Sequence, residues 1–381
     1  MRLKSGSRAL LVASIILAGT GHANASTYTF TDLGTLGGNP YASSYARAIN
    51  ASGQVVGIDA DTIHYAMLWN GTTATVLSGL GGRYSYASAI NASGQVAGGS
   101  QVYSDIGYGD EGAFHAVRWN GATPTDLGTL GGVNSDAYAI NASGQVAGSS
   151  EVYSHSLGYE VRHATRWNGT TATDLGTLGG YQSTAYAINA SGQVAGVAYT
   201  AGNAAFHATL WNGTTATDLG TLGGTFSTAY AINVSGQVAG GSQTAGNAAS
   251  HATLWNGTTA VDLGTLGGTF STAYAINASG QVAGVAQTTS NGDHATLWNG
   301  TTATDLNNFL DESSVNLGWV LQEARGINDS GSIVGSAYNT ITGQTHAYVL
   351  TAVPEPESYA MLLTGLGLLG FVARRRQHQA A

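Results

Sequence analysis

Apolar and polar residues fall in runs of about five along this chain, and the same runs return seven times between Thr31 and Leu350. One copy, Ala229–Gln243 with His251–Leu266, serves to read them all. Ala229-Tyr230-Ala231-Ile232-Asn233 alternates large with small side chains and predicts a strand with one face toward a core. Val234-Ser235-Gly236 is a turn in which glycine supplies the positive φ, and Gln237–Gly241 returns as a second strand. After a variable connection, His251-Ala252-Thr253-Leu254-Trp255 reads as a third strand. Asn256-Gly257 is a strong two-residue hairpin signal, because both residues tolerate positive φ. Thr258–Leu263, rich in β-branched threonine, is the fourth strand. No copy has a helical pattern ten residues long or enough apolar mass for a core of its own, so neighbouring copies must stack.

Three strings mark the repeat. Asp-Leu-Gly-Thr-Leu-Gly-Gly begins at Asp32, Asp126, Asp174, Asp218 and Asp262, with a degenerate copy at Val76 and a diverged one at Asp305. The spacings are 44, 50, 48, 44, 44 and 43 residues. Ile-Asn-x-Ser-Gly recurs at Asn50, Asn91, Asn141, Asn189, Asn233, Asn277 and Asn328. His-Ala-x-x-Trp starts at His115, His163, His207, His251 and His294, is altered to Tyr65–Trp69 in the first copy, and survives as His346–Leu350 in the last. Four strands in about 45 residues is the arithmetic of a propeller blade. Thr27–Leu33 reads as a fourth strand with no blade before it, and His346–Leu350 as a third strand with none after it. The expected fold is therefore all-β, a seven-bladed β-propeller of four-stranded antiparallel blades closed by the N-terminal strand. The alternative is an open β-solenoid of the same repeats.

Both ends carry addresses. Residues 1–25 read as a signal peptide: a basic start, the apolar run Ala9–Ala18, and an A-x-A cleavage site at Ala23 and Ala25 for signal peptidase. Residues 26–352 are the repeats, and 353–381 a tail containing Pro354-Glu355-Pro356, an apolar stretch Tyr359–Ala373 and Arg374-Arg375-Arg376. The stretch reads as a transmembrane helix slightly short of the ~20 residues of a standard span, with the arginines retained in the cytoplasm. This tail resembles the PEP-CTERM sorting signal of Gram-negative bacteria. The resemblance implies cleavage by exosortase, transient anchoring in the inner membrane and delivery to the cell surface or extracellular matrix. Within the tail, Gly365–Gly370 matches G-x-G-x-x-G but lacks the strand–helix unit of a dinucleotide site. The repeat strings are similar to the HAF family of extracellular bacterial repeats, with His-Ala-Thr replacing His-Ala-Phe in most copies. That resemblance implies a location and a repeat fold rather than a reaction.

Composition removes several functions. Charged residues are 9% of the chain and cysteine is absent, so there is no disulfide framework, thiolate zinc site or cysteine nucleophile. Ser26–Val353 holds 6 Arg, no Lys and 19 acids, a net of −13 that repels phosphate. Nucleic acid is therefore not an expected partner, and no P-loop lysine is available. There is no G-x-S-x-G, H-E-x-x-H or EF-hand loop either, and no catalytic residue, metal site or cofactor is expected.

The candidate chemistry is repeated or clustered. Seven of ten histidines stand at or beside one repeat position. Such a ring could bind metal, but a hydrogen-bonding role within each copy is preferred. Trp69, Trp119, Trp167, Trp211, Trp255 and Trp298 could form a sugar-stacking ladder, and packing between blades is preferred. The N-x-[ST] sequons are read as turn chemistry. Two connections stand apart, Gln101–Phe114 and Glu151–Arg162, long and rich in Tyr and acids. Tyr103, Asp105, Tyr108, Asp110, Glu111, Tyr153, Tyr159 and Glu160 are therefore the candidate ligand-binding residues, on loops held by a rigid scaffold. The expected function is a secreted, non-enzymatic repeat protein presenting these loops to exopolysaccharide or a surface protein, touching membrane only through its tail. An extracellular polysaccharide hydrolase or lyase, and a purely structural matrix protein, are the alternatives.

Overall fold

The computed structural model describes residues 27–36, 42–60, 63–102, 112–155 and 157–353. The signal segment, the sorting tail with its expected membrane helix, and Tyr103, Asp105, Tyr108, Asp110 and Glu111 lie outside the described residues. Among the described residues no helix is long and apolar enough to cross a membrane. Tyr28–Val353 is one compact unit.

That unit is all-β, a succession of antiparallel sheets in a propeller-like arrangement. Among the described residues, five sheets have four strands each and one has eight. The eight-stranded sheet consists of two four-stranded copies of the repeat joined by a single parallel pair, Ser250 with Phe270. In the copy that contains Tyr230 and Trp255, the strands are Gly223–Ile232, Val238–Thr244, Ser250–Asn256 and Thr259–Asp262. The first strand starts six residues before the alternating segment that predicted it. The N-terminal strand Thr27–Asp32 pairs with Thr345–Val353, which continues to Ile333–Asn339 and Trp319–Ile327. One sheet therefore contains the first and the last of the described strands. The connection into Trp319–Ile327 carries a short helix, Glu312–Asn316, capped by the Asp311 carboxylate on the Ser314 amide.

The Asn-Gly turn differs from its expected form. Asn256 pairs with Thr259, so the two central residues are Gly257 and Thr258. Positive φ falls on Gly257 alone, at 58°. Asparagine ends the strand, and the turn carries its positive φ at the first central position, as type II′ turns do.

The core lies between sheets, as a repeat that cannot bury its own face requires. Trp255 is 0% exposed and packs with Val238 of its own copy and with Ala187, Ala195, Ala208 and Leu219 of the copy before. Trp69, Trp119, Trp167, Trp211 and Trp298 are buried in equivalent clusters. The tryptophans are packing residues and do not form an exposed ladder. Truncating one would cost about 3–5 kcal/mol.

Each first strand carries a β-bulge. The register shifts between Ala229 and Ala231 and at the same place in the other copies, leaving one extra residue three positions before the repeated asparagine. The partner strand answers with glycine: a Cβ on Gly240 would lie 1.9 Å from the Thr228 carbonyl oxygen. The glycine of Gln-Val-x-Gly is thus a requirement of close backbone approach.

Candidate functional site

The repeated asparagines form one continuous hydrogen-bond chain. Within its own copy, Asn189 Oδ1 accepts from Ser191 Oγ and the Gln193 amide, and its Nδ2 donates to Gln193 Oε1. The same Nδ2 donates to the Asn233 carbonyl of the next copy at 3.3 Å. The relay runs Asn50, Asn91, Asn141, Asn189, Asn233, Asn277, Asn328, and Asn328 donates to the Asn50 carbonyl at 3.1 Å. This accounts for Ile-Asn-x-Ser-Gly-Gln: every polar member of the string has a partner.

The repeated histidines act inside their own sheets. His163 Nδ1 donates to Asp174 Oδ2 at 2.8 Å, and the same pairing joins His115–Asp126, His207–Asp218, His251–Asp262, His294–Asp305 and His346–Asp32. In the first copy, Tyr65 and Val76 occupy the two positions, so both partners are replaced together. Asp174 also accepts from the Gly176 amide. Burial pushes its carboxyl up, but the His163 and Gly176 hydrogen bonds outweigh that and hold it below the usual carboxylate range. Among the described residues no group of three or more His, Asp or Glu is placed to hold a metal ion.

Three positions before each asparagine, the bulge residues are Arg47, Ser88, Tyr138, Tyr186, Tyr230, Tyr274 and Arg325. All seven line one cavity of about 520 Å³, together with Tyr45, Ala46, Ile58 and Glu323. Bulges commonly re-aim side chains beside sites, and here they direct one residue of every copy to the same space. Tyr138, Tyr186, Tyr230 and Tyr274 form an arc, with neighbouring ring centroids 5.3, 5.3 and 5.7 Å apart. Burial, then the neighbouring phenols of Tyr138 and Tyr230, pushes Tyr186 up to about 12, so it stays neutral at ordinary pH.

Two arginines line the same cavity with different partners. Arg325 lies over Tyr274, 3.8 Å from the ring centroid, and donates to Glu323 Oε2 at 2.8 Å from Nε and 2.6 Å from a terminal nitrogen. Burial disfavours its charge, but Glu323 reverses the effect and raises its pKa. Glu323 also accepts from Ser336 Oγ at 2.6 Å. Arg47 sits 5.3 Å from the Tyr86 ring centroid and has no carboxylate within ion-pair distance among the described residues. Burial lowers the pKa of Arg47; Tyr86 opposes this, the like charge of Arg325 adds to it, and Tyr138 and Glu323 oppose it more weakly. Beside this tier, Asp136 is held by the Tyr86 hydroxyl and by Arg162.

Of the loop candidates, three lie on described backbone. Glu151–Arg162 is a β-hairpin rather than an irregular loop: Glu151 pairs with Arg162 and Tyr153 with Glu160 across the strands. Tyr153 and Tyr159 are 51% and 55% exposed, and Glu160 is also exposed. Glu151 itself accepts from the Asn134 amide and side chain, tying the hairpin to its neighbouring strand. None of these residues lines the arginine–tyrosine cavity. The sequence pattern assigns Tyr230 to a strand without saying which way it faces, and it does not single out Arg47 or Arg325. Aligning the asparagine strings would have shown two of six arginines at one repeat position.

Residues 352–376 match the PEP-CTERM protein-sorting motif. The match supports an exported, exosortase-sorted surface protein, transiently anchored in the membrane of a Gram-negative bacterium. No curated protein matches the chain. Among solved structures, TolB from Acinetobacter baumannii is similar with a TM-score of 0.39 and 12% identity, over 78% of this chain and 79% of that chain.

Proposed function

We propose that the sheets close into a seven-bladed propeller of HAF type, and that the exported protein binds exopolysaccharide at the cell surface or in the matrix without turning it over. The closed ring is supported by the asparagine relay that returns to Asn50 and by the sheet that joins the first and the last of the described strands. The binding reading is carried by one observation: the cavity is lined by the bulge position, which is arginine, serine or tyrosine from copy to copy, while the position three residues on is asparagine in all seven. Aromatic rings with convergent polar groups in a cavity of this size suit a small saccharide segment, since ligand cavities span about 300–1,000 Å³. The exposed Tyr153–Glu160 hairpin is a second surface for a longer polymer.

The test is a calorimetric titration of the exported protein with the producing organism's exopolysaccharide, with the mixture assayed for released sugar ends. Saturable heat without new ends is the expected result. New ends would replace the binding reading with a hydrolase or lyase. No heat would return the protein to a structural or protein-binding role.

A further inference from the structure

We propose that the cavity takes a sugar bearing a single carboxylate, a uronic-acid residue, with Arg47 as the charge partner of that carboxylate. The assignment rests on the carbohydrate-binding reading above and names the chemistry it would recognise.

Charge is the first reason. The ionisable residues lining the cavity, apart from neutral phenols, are Arg47, Arg325 and Glu323. Glu323 is committed to Arg325 through two short contacts and to Ser336 through a third. Among these lining residues one positive charge is left over, and it belongs to Arg47, which bears the repulsion of Arg325 and a weaker pull from Glu323. A half-buried guanidinium without a counter-ion is costly unless something supplies one. The shortfall is a single negative charge, which a carboxylate supplies. A phosphate brings up to two, and a metal cation would add to the excess. Arginine's planar fork also matches a carboxylate in bidentate fashion.

Scarcity is the second reason. Only 6 arginines serve Ser26–Val353, against 19 acids. Two of them occupy the bulge position, in the first and last copies, which the Asn328–Asn50 bond makes neighbours. Around them the protein is acidic, so an anionic ligand is admitted only where the local field is reversed.

Shape is the third. Tyr138, Tyr186 and Tyr230 line the same space as the arginines and offer aromatic surface for the C–H faces of a pyranose, while Arg325 already covers a face of Tyr274. Phe226 and Phe270 line a second cavity of about 290 Å³ that shares Tyr230 and Tyr274 with the first. A chain of sugars could leave the charged subsite over these rings.

The test compares galacturonate, galactose and inorganic phosphate as titrants of the full exported protein, for the parent, Arg47→Gln and Arg47→Lys. Thermal midpoints confirm that the variants fold. Galacturonate is expected to bind at least about tenfold more tightly than galactose, with that preference lost in Arg47→Gln and partly restored in Arg47→Lys. Added salt should weaken galacturonate and leave galactose unchanged. Equal binding of galacturonate and galactose, unchanged binding by Arg47→Gln, tighter binding of phosphate, or no heat from galacturonate would each overturn the proposal. Exopolysaccharide distinguishes its failure from that of the broader reading. Polymer bound equally by the parent and Arg47→Gln would keep a carbohydrate-binding protein and remove the cavity as its site. Galacturonate bound without polymer would keep the cavity and remove the polymer.

Discussion

Two positions three residues apart, one inside each first strand and one just past its end, behave in opposite ways. One is asparagine in every copy, and its side chain hands a hydrogen bond to the next copy. The other is arginine, serine or tyrosine, and it lines a cavity. The difference separates what assembly demands from what a ligand could read. An asparagine in the relay satisfies its own turn and its neighbour's carbonyl at once, so its replacement leaves several buried groups unpaired. A bulge residue projects from a backbone distortion that the partner strand's glycine already permits, and its side chain can change without disturbing assembly.

The sharpest way to break this contrast is Asn189→Ala. It strips acceptors from Ser191 and the Gln193 amide and a donor from the Asn233 carbonyl. We expect a loss of about 2–4 kcal/mol in denaturant unfolding. A loss under about 0.5 kcal/mol would show the relay to be incidental. A smaller effect is expected at the His–Asp pairs. Asp174 titrates below its unfolded value near 3.9, so it adds stability above that pH and loses it as pH falls through the folded pKa. Asp174→Asn should therefore lower the thermal midpoint at pH 6, and the gap to the parent should narrow below about pH 3. Because Asp174 is 39% exposed, solvent screening keeps the effect below about 1 kcal/mol. A gap independent of pH would mean that the pair contributes nothing through charge. The smallest effect is expected at the bulge. Ser88 lines the cavity, and its Oγ is buried with no partner. Ser88→Ala should leave stability unchanged or raise it by up to about 1 kcal/mol. A clear loss would place this position with the scaffold.

Much of the architecture could be read from the strings alone. The four strands per copy, the packing tryptophans and the hydrogen-bonding histidines follow from periodicity, size and the scarcity of other polar partners. The bulge was hidden because alternation with a period of two assumes an unbroken register. The extra residue sets Tyr230 outside the regular pairing, and nothing local in Ala-Tyr-Ala-Ile-Asn announces it. The glycine opposite was visible, but its cause lies in the Thr228 carbonyl on another strand. The Asn-Gly turn slipped by one residue for a related reason: cross-strand pairing of Asn256 with Thr259, rather than turn preference alone, decides where the chain reverses. The cavity could not be seen copy by copy, because it exists only where seven copies contribute one residue each.

The strand Thr27–Asp32 hydrogen-bonds to a partner more than 300 residues later in the chain. During export the leading segment must therefore wait, its edge unsatisfied, until the final repeat has crossed and can receive it. Completion of the last sheet therefore requires the whole repeat region. A chain interrupted before Thr345 would present two open edges to proteases and to other chains. A finished one meets the sorting machinery with its ends already fastened.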